Sequence, residues 1–142
     1  MRIVADTNTV LSGLLWQGAL HRLLDLGRER KITLCTSSVL LAELAQVMAH
    51  DKFAESLRTA GASAIELLQD YERLAETVTP EALPTPVIKR DPDGDHVLAC
   101  AVSAETRLIV SGDSHLVDLK TYQDIPIHTA TLALDEVLAA RH

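Results

Sequence analysis

The sequence predicts an α/β domain with a mostly parallel central sheet. Short apolar runs alternate with longer segments of helical period, and most of the runs end in cap or turn residues. Composition supports a packed core: 47% of the 142 residues are hydrophobic and 23% are charged, too apolar for disorder at that charge density. One domain of ordinary size, spanning 1–142, accounts for the whole length, with no repeat, low-complexity tract or linker.

The elements follow in order. Arg2 to Ala5 is a short apolar strand that stops at Asp6-Thr7-Asn8, which is cap and turn chemistry. Val10 to Trp16 is apolar and helical in length, and Gly18 breaks it. Ala19 to Arg30 repeats apolar residues at a helical period, and Lys31 to Thr36 reads as a second strand. Ser37 or Ser38 caps the next helix, which carries Val39, Leu40, Leu41, Leu44, Val47 and Met48 on one broad face. Asp51 to Glu76 is a helical hairpin broken at Gly61, followed by a short strand at Thr77 to Thr79. A loop rich in proline then leads to a helix over Asp95 to Ser103. Arg107 to Val110 is the clearest strand, closed by Ser111-Gly112-Asp113. Ile125 to His128 and Thr131 to Ala140 supply the last strand and helix, giving about five strands.

Charge and cysteine content narrow the function. A net charge of −7 excludes a passive nucleic-acid coat, which binds through excess Lys and Arg. It leaves room for a nucleic-acid enzyme, because metal ions supply positive charge locally. Cys35 and Cys100 sit in apolar runs without metal-finger or disulfide spacing, as buried thiols of a reduced protein do. No stretch approaches the roughly 18 continuous apolar residues of a membrane span. Asp6 interrupts the N-terminus before a secretory signal core forms, so a cytoplasmic location is expected.

In a parallel sheet of this kind ligands bind at the carboxyl ends of the strands. Asp6 and Asp113 both fall there, and either can also cap a helix. Glu43 stands one turn from Val39, Leu40 and Val47, on an apolar face or its margin, where a carboxylate must reach water, a partner or a cation. Asp91, Asp93 and Asp95 crowd the start of an apolar helix, but without the glycine and glutamate of a calcium loop. Asp95 precedes Leu98, Ala99 and Val102 by three, four and seven residues, on the side turned toward the core. Asp91 and Asp93 read as solvated or supporting. Four converging carboxylates repel one another, and a hard cation such as Mg²⁺ or Mn²⁺ resolves that repulsion. Such a site activates water and neutralises charge on a phosphoryl oxygen, which is what phosphodiester hydrolysis needs.

These residues carry a resemblance over essentially the whole chain. Ile3-Val4-Ala5-Asp6-Thr7-Asn8, Ser38 to Leu44, Asp95 to Ala101 and Leu108 to Asp113 resemble the PIN-domain ribonucleases, in particular the toxins of toxin–antitoxin pairs. The resemblance implies a three-layer α/β/α sandwich. It matches Asp6, Glu43, Asp95 and Asp113 to an acidic quartet that binds one or two Mg²⁺ or Mn²⁺ ions, with Asn8 and Ser111 supporting. His96 departs from the family pattern, and the ladder of Asp91 and Asp93 leaves the third acid open by one or two positions. An antitoxin partner and a homodimer are also implied.

On this reading Asp6 is the central ligand, Asp95 and Asp113 complete the direct ligands, and Glu43 ligates through water or orients the nucleophile. Lys89 and Arg90, and Arg107 and Lys120, flank the acids and are candidates for phosphate contacts. Aromatics are scattered, so no base-stacking platform is visible. Two other classes compete. A catalytically silent PIN-like module binding RNA or a partner has no need of four acids. A serine esterase built on Gly112-Asp113-Ser114 and Asp93-Gly94-Asp95-His96 has its blocks in reversed order and leaves Asp6 and Glu43 idle.

Overall fold

A computed structural model describes residues 1–88 and 92–140, the side chains of Pro92 and Asp93 excepted. Six strands form one sheet among them: β1 (Arg2–Ala5), β2 (Thr33–Ser37), β3 (Glu76–Val78), β4 (Leu108–Val110), β5 (Thr121–Tyr122) and β6 (Ile125–His128). Their order is β3-β2-β1-β4-β6-β5, parallel throughout except for the β5–β6 pair. The chain winds outward from β1 to one side, then returns to the centre as β4 and winds to the other. The switch in strand order therefore lies between β1 and β4.

Alternation along the central strands builds the two halves of the core. Ile3, Leu34, Leu108 and Val110 pack on one face with Leu23, Leu24 and Leu26 of α2 (Ala19–Arg28) and Val137 of α8 (Ala130–Ala140). Val4, Cys35 and Ile109 pack on the other with Val97, Leu98 and Ala101 of α6 (Pro92–Ser103). The result is an α/β/α sandwich. Close approach on the first face depends on Gly27, where a Cβ would lie 2.8 Å from Leu34 Cδ1 and 2.9 Å from Leu74 Cδ1.

Several boundaries differ from those read in the sequence. α1 (Thr7–Leu15) begins three residues before Val10, because Asp6 itself is the N-cap and accepts from Thr9 N. Ser37 caps α3 (Ser38–Met48) through Leu40 N. A 3₁₀ turn, Asp51–Phe53, leads into α4 (Ala54–Ala60), which ends at Gly61 in the left-handed region with φ 69°. α5 (Ala64–Leu74) is the second arm of the expected hairpin. α6 starts at Pro92, ahead of the expected Asp95. Asp113 caps α7 (Ser114–Val117), a single turn that apolar period does not reveal.

The expected count of five strands is corrected to six. β5 has only two residues, too few to show alternation. It exists because Gln123 and Asp124 both hold positive φ, 47° and 66°, which makes a two-residue hairpin back from β6. No helix among the described residues is long and apolar enough to cross a membrane.

Candidate functional site

Asp6 directly follows β1, and its backbone N–H extends the ladder by donating to Val110 O at 3.1 Å. Its carboxylate is 7% exposed and divided between two donors. Oδ1 accepts from Thr9 N at 2.8 Å, while Oδ2 accepts from the hydroxyl of Ser111, just past β4. Ser111 Oγ in turn accepts from Asp113 N at 2.9 Å. One buried serine thus fixes both strand-end acids at the switch point. Asp113 Oδ1 accepts from His115 N at 2.8 Å. Both aspartates therefore combine capping with placement at the site edge.

Glu43 projects from α3 into the same space, with a side chain 12% exposed. Its Oε1 meets His96 Nδ1 of α6, and its Oε2 accepts from Thr7 Oγ1 at 3.4 Å. The burial expected at the margin of an apolar face is thus offset by partners from two other elements. A cleft of 210 Å³ opens here, lined by Asp6, Thr7, Asn8, Glu43, Gln46 and Asp113, with Val47, Gly94, Val97 and Leu116 as its apolar floor.

Asp95 does not line that cleft. Its carboxylate accepts from the backbone N–H groups of Val87, at 3.2 and 3.3 Å to its two oxygens, and of Ile88, at 2.8 Å. The adjacent Gly94 completes the docking of that loop, since a Cβ there would come within 2.8 Å of Ile88 Cδ1. Of the four acids expected to converge, Asp6, Glu43 and Asp113 line the cleft, and the carboxylate of Asp95 holds the loop at Val87 and Ile88. On α6, Gly94 and Val97 face the cleft, and Asp95, one position on from Gly94 and so about 100° round the helix, meets the loop.

Two of the candidate phosphate contacts are not brought to the acids. Arg107 precedes β4 at the amino edge of the sheet, where its N–H donates to Arg2 O and it lines a separate depression with Met1, Lys31 and Ile32. A residue before a parallel strand cannot share an edge with one that follows it. Lys120 precedes the outermost strand β5 and does not line the acidic cleft. Lys89, Arg90 and Asp91 lie outside the described residues, as does the side chain of Asp93. Asn8 lines the cleft, and Ser111 bonds both strand-end acids. Thr7, Gln46 and His96 are additions. Gln46 had a signal in its spacing of three from Glu43 on one helix.

The donor set fits a hard divalent cation. Three carboxylates, a hydroxyl and two amides offer oxygen ligands, and Mg²⁺ retains several waters rather than requiring an all-protein cage. No ready-made cage exists: among the described residues no three acidic, histidine or cysteine side chains are grouped to hold a metal.

The cysteines take no part. Both are free and buried, and burial raises each thiol, Cys100 to about 12. Neither is a thiolate nucleophile at neutral pH.

A model of the PIN domain family matches residues 2–115, which span β1 through β4 and every acid of the cleft. No curated protein and no solved structure matches the chain. The match covers most of the chain, and the fold and cleft agree with it: the chain belongs to the PIN-domain family, a nuclease fold that is generally dependent on Mg²⁺ or Mn²⁺.

Proposed function

We propose that this PIN domain is a metal-dependent endoribonuclease, acting as the toxin of a toxin–antitoxin pair. The observation that carries the reading is the meeting of Asp6, Glu43 and Asp113, from three separate segments, in one cleft at the switch point of a PIN-family sheet. Asp6 and Asp113 would hold one or two Mg²⁺ or Mn²⁺ ions, steadied by Ser111, with Asn8 beside them. When bound, such an ion supplies an activated water and neutralises charge on the phosphoryl oxygens. Glu43 Oε2, on the side of Thr7, would orient the attacking water and take its proton. His96 holds Oε1 and so fixes the direction of that carboxylate.

RNA as the substrate, a cognate antitoxin, a homodimer and a cytoplasmic location belong to the same proposal. The experiment is to incubate the protein with single-stranded RNA and with DNA of the same sequence, in Mn²⁺ and in EDTA. Cleavage of RNA in Mn²⁺ alone, leaving no 2′,3′-cyclic phosphate ends, is the expected result. Cleavage that persists in EDTA contradicts the metal role, and equal cleavage of DNA contradicts the substrate class. Induction inside cells should arrest growth, and the Asp6→Asn protein should not.

A further inference from the structure

The amino edge of the sheet, opposite the acids, carries a second concentration of charge, and it is positive. A depression of 280 Å³ opens between the end of α2 and the end of α5, where the chain enters β2 and β3. Its walls are Gly27, Arg28, Arg30, Asp70, Arg73 and Leu74. Three arginines therefore meet in one hollow of a chain whose net charge is −7. Guanidiniums gathered in this way repel one another, so the arrangement needs an anion or a structural reason.

Structural reasons cover only part of it. Arg28 is committed: it donates to Asp25 Oδ1 at 3.2 Å and to Asp70 Oδ2 at 2.5 Å, joining α2 to α5. Arg28 and Arg73 also stand in the last turns of their helices, where the dipole favours a cation. Arg30 lies past the helix end, in the left-handed region with φ 59°, a position that glycine fills at lower cost. No acid or other acceptor among the described residues meets the guanidinium of Arg30 or of Arg73. Two fork-shaped donors thus line the hollow without a partner among those residues. Leu74, half-buried, is the one apolar side chain in the walls, so the apolar centre of a protein–protein contact is missing. A polar hollow lined by arginine suits the backbone of a nucleic acid.

We propose that this hollow is a remote phosphate site for the RNA strand, in which Arg30 and Arg73 hold phosphodiesters of a segment that has left the cleft and passed round the domain. This rests on the ribonuclease reading of the cleft. The two edges are separated by the length of β2, five residues or about 15 Å, so only a strand several nucleotides longer than the cleft engages both. The contact is with the backbone, so it adds affinity and reads no base. It also supplies, away from the metal, the positive charge that the acidic cleft lacks.

Arg30 permits a test in which folding and binding part company. Arg30→Gly removes the cation and suits the left-handed backbone, so it is combined with Arg73→Gln. A control, Lys52→Gln with Arg58→Gln, removes the same charge from residues outside the hollow. The probe is a fluorescein-labelled single-stranded oligoribonucleotide of about twenty nucleotides, followed by anisotropy in Ca²⁺ over a range of salt, with its integrity checked on a gel. Tm and Mn²⁺ affinity without RNA are measured alongside. The expected result is that the Arg30/Arg73 variant keeps its Tm and Mn²⁺ affinity and binds RNA about ten-fold more weakly. Its slope of log affinity against log salt should flatten by about 1.4, two phosphate contacts at about 0.7 each, while the control stays near wild type. Should Tm fall, Arg73→Gln alone leaves the backbone at Arg30 untouched and is expected to show half of the slope change. Unchanged affinity and slope overturn the site and leave the ribonuclease reading standing. An equal loss in the control, or a parallel loss of Mn²⁺ affinity, also overturns it, as an effect of bulk charge or of a distorted cleft. A polyglutamate peptide that binds wild type more tightly than RNA at the same salt would assign the hollow to an acidic protein instead. Failure of the wild-type protein to bind RNA at all removes the ribonuclease reading and the remote site with it.

Discussion

Ser111 ties Asp6 to Asp113: its hydroxyl donates to Asp6 Oδ2 and accepts the backbone N–H of Asp113 at 2.9 Å. The two acids sit after different strands, β1 and β4, 107 positions apart in the chain. A single side chain, 1% exposed, converts that sequence distance into one site. Ser111→Ala leaves a buried Asp6 oxygen without its donor and frees the start of α7. A loss of about 1–3 kcal/mol in stability is expected, read by chemical denaturation. Mn²⁺ affinity, read by calorimetric titration, should fall as well. Unchanged stability and unchanged affinity together would remove Ser111 from the account.

Asp95 is expected to behave differently from the other acids. Its carboxylate accepts two backbone N–H groups of the loop at Val87 and Ile88, so Asp95→Ala should cost about 1–3 kcal/mol of stability. Mn²⁺ affinity should stay close to wild type, while Asp6→Asn or Asp113→Asn should lower it by about ten-fold or more. Loss of Mn²⁺ binding in Asp95→Ala at unchanged stability would restore Asp95 as a ligand.

This contrast marks how far the sequence is legible. The fold class, the parallel sheet and the helical hairpin all follow from periodicity and from capping residues such as Ser37 and Gly61. Asp6, Glu43 and Asp113 are legible because each is chemically out of place next to an apolar strand end or helix face. The direction of Asp95 is not legible, because the loop at Val87 and Ile88 that its carboxylate holds comes beside α6 only in the folded chain. His96 is invisible for another reason: its contact with Glu43 crosses between helices 53 residues apart, and spacing along one element carries no trace of it.

The thiols give a test of the core in solution. Cys35 and Cys100 should react with a thiol reagent only after unfolding, since both are buried and held protonated. Because the folded thiol titrates higher than the unfolded one, stability should fall as pH rises from the ordinary value of 9.0 toward about 12. Below that window Cys100 contributes no slope. Comparing denaturation midpoints of wild type and Cys100→Ala across the window isolates this thiol. A midpoint that rises with pH relative to Cys100→Ala would contradict the burial of Cys100.

The central claim is that the cleft acids make this PIN domain a metal-dependent ribonuclease. Its most direct test is the rate of single-stranded RNA cleavage by wild type and Asp6→Asn in Mn²⁺, with circular dichroism to establish that both are folded. The account predicts cleavage by wild type, abolished by EDTA, and a folded but silent Asp6→Asn protein. Cleavage by Asp6→Asn at the wild-type rate would contradict it.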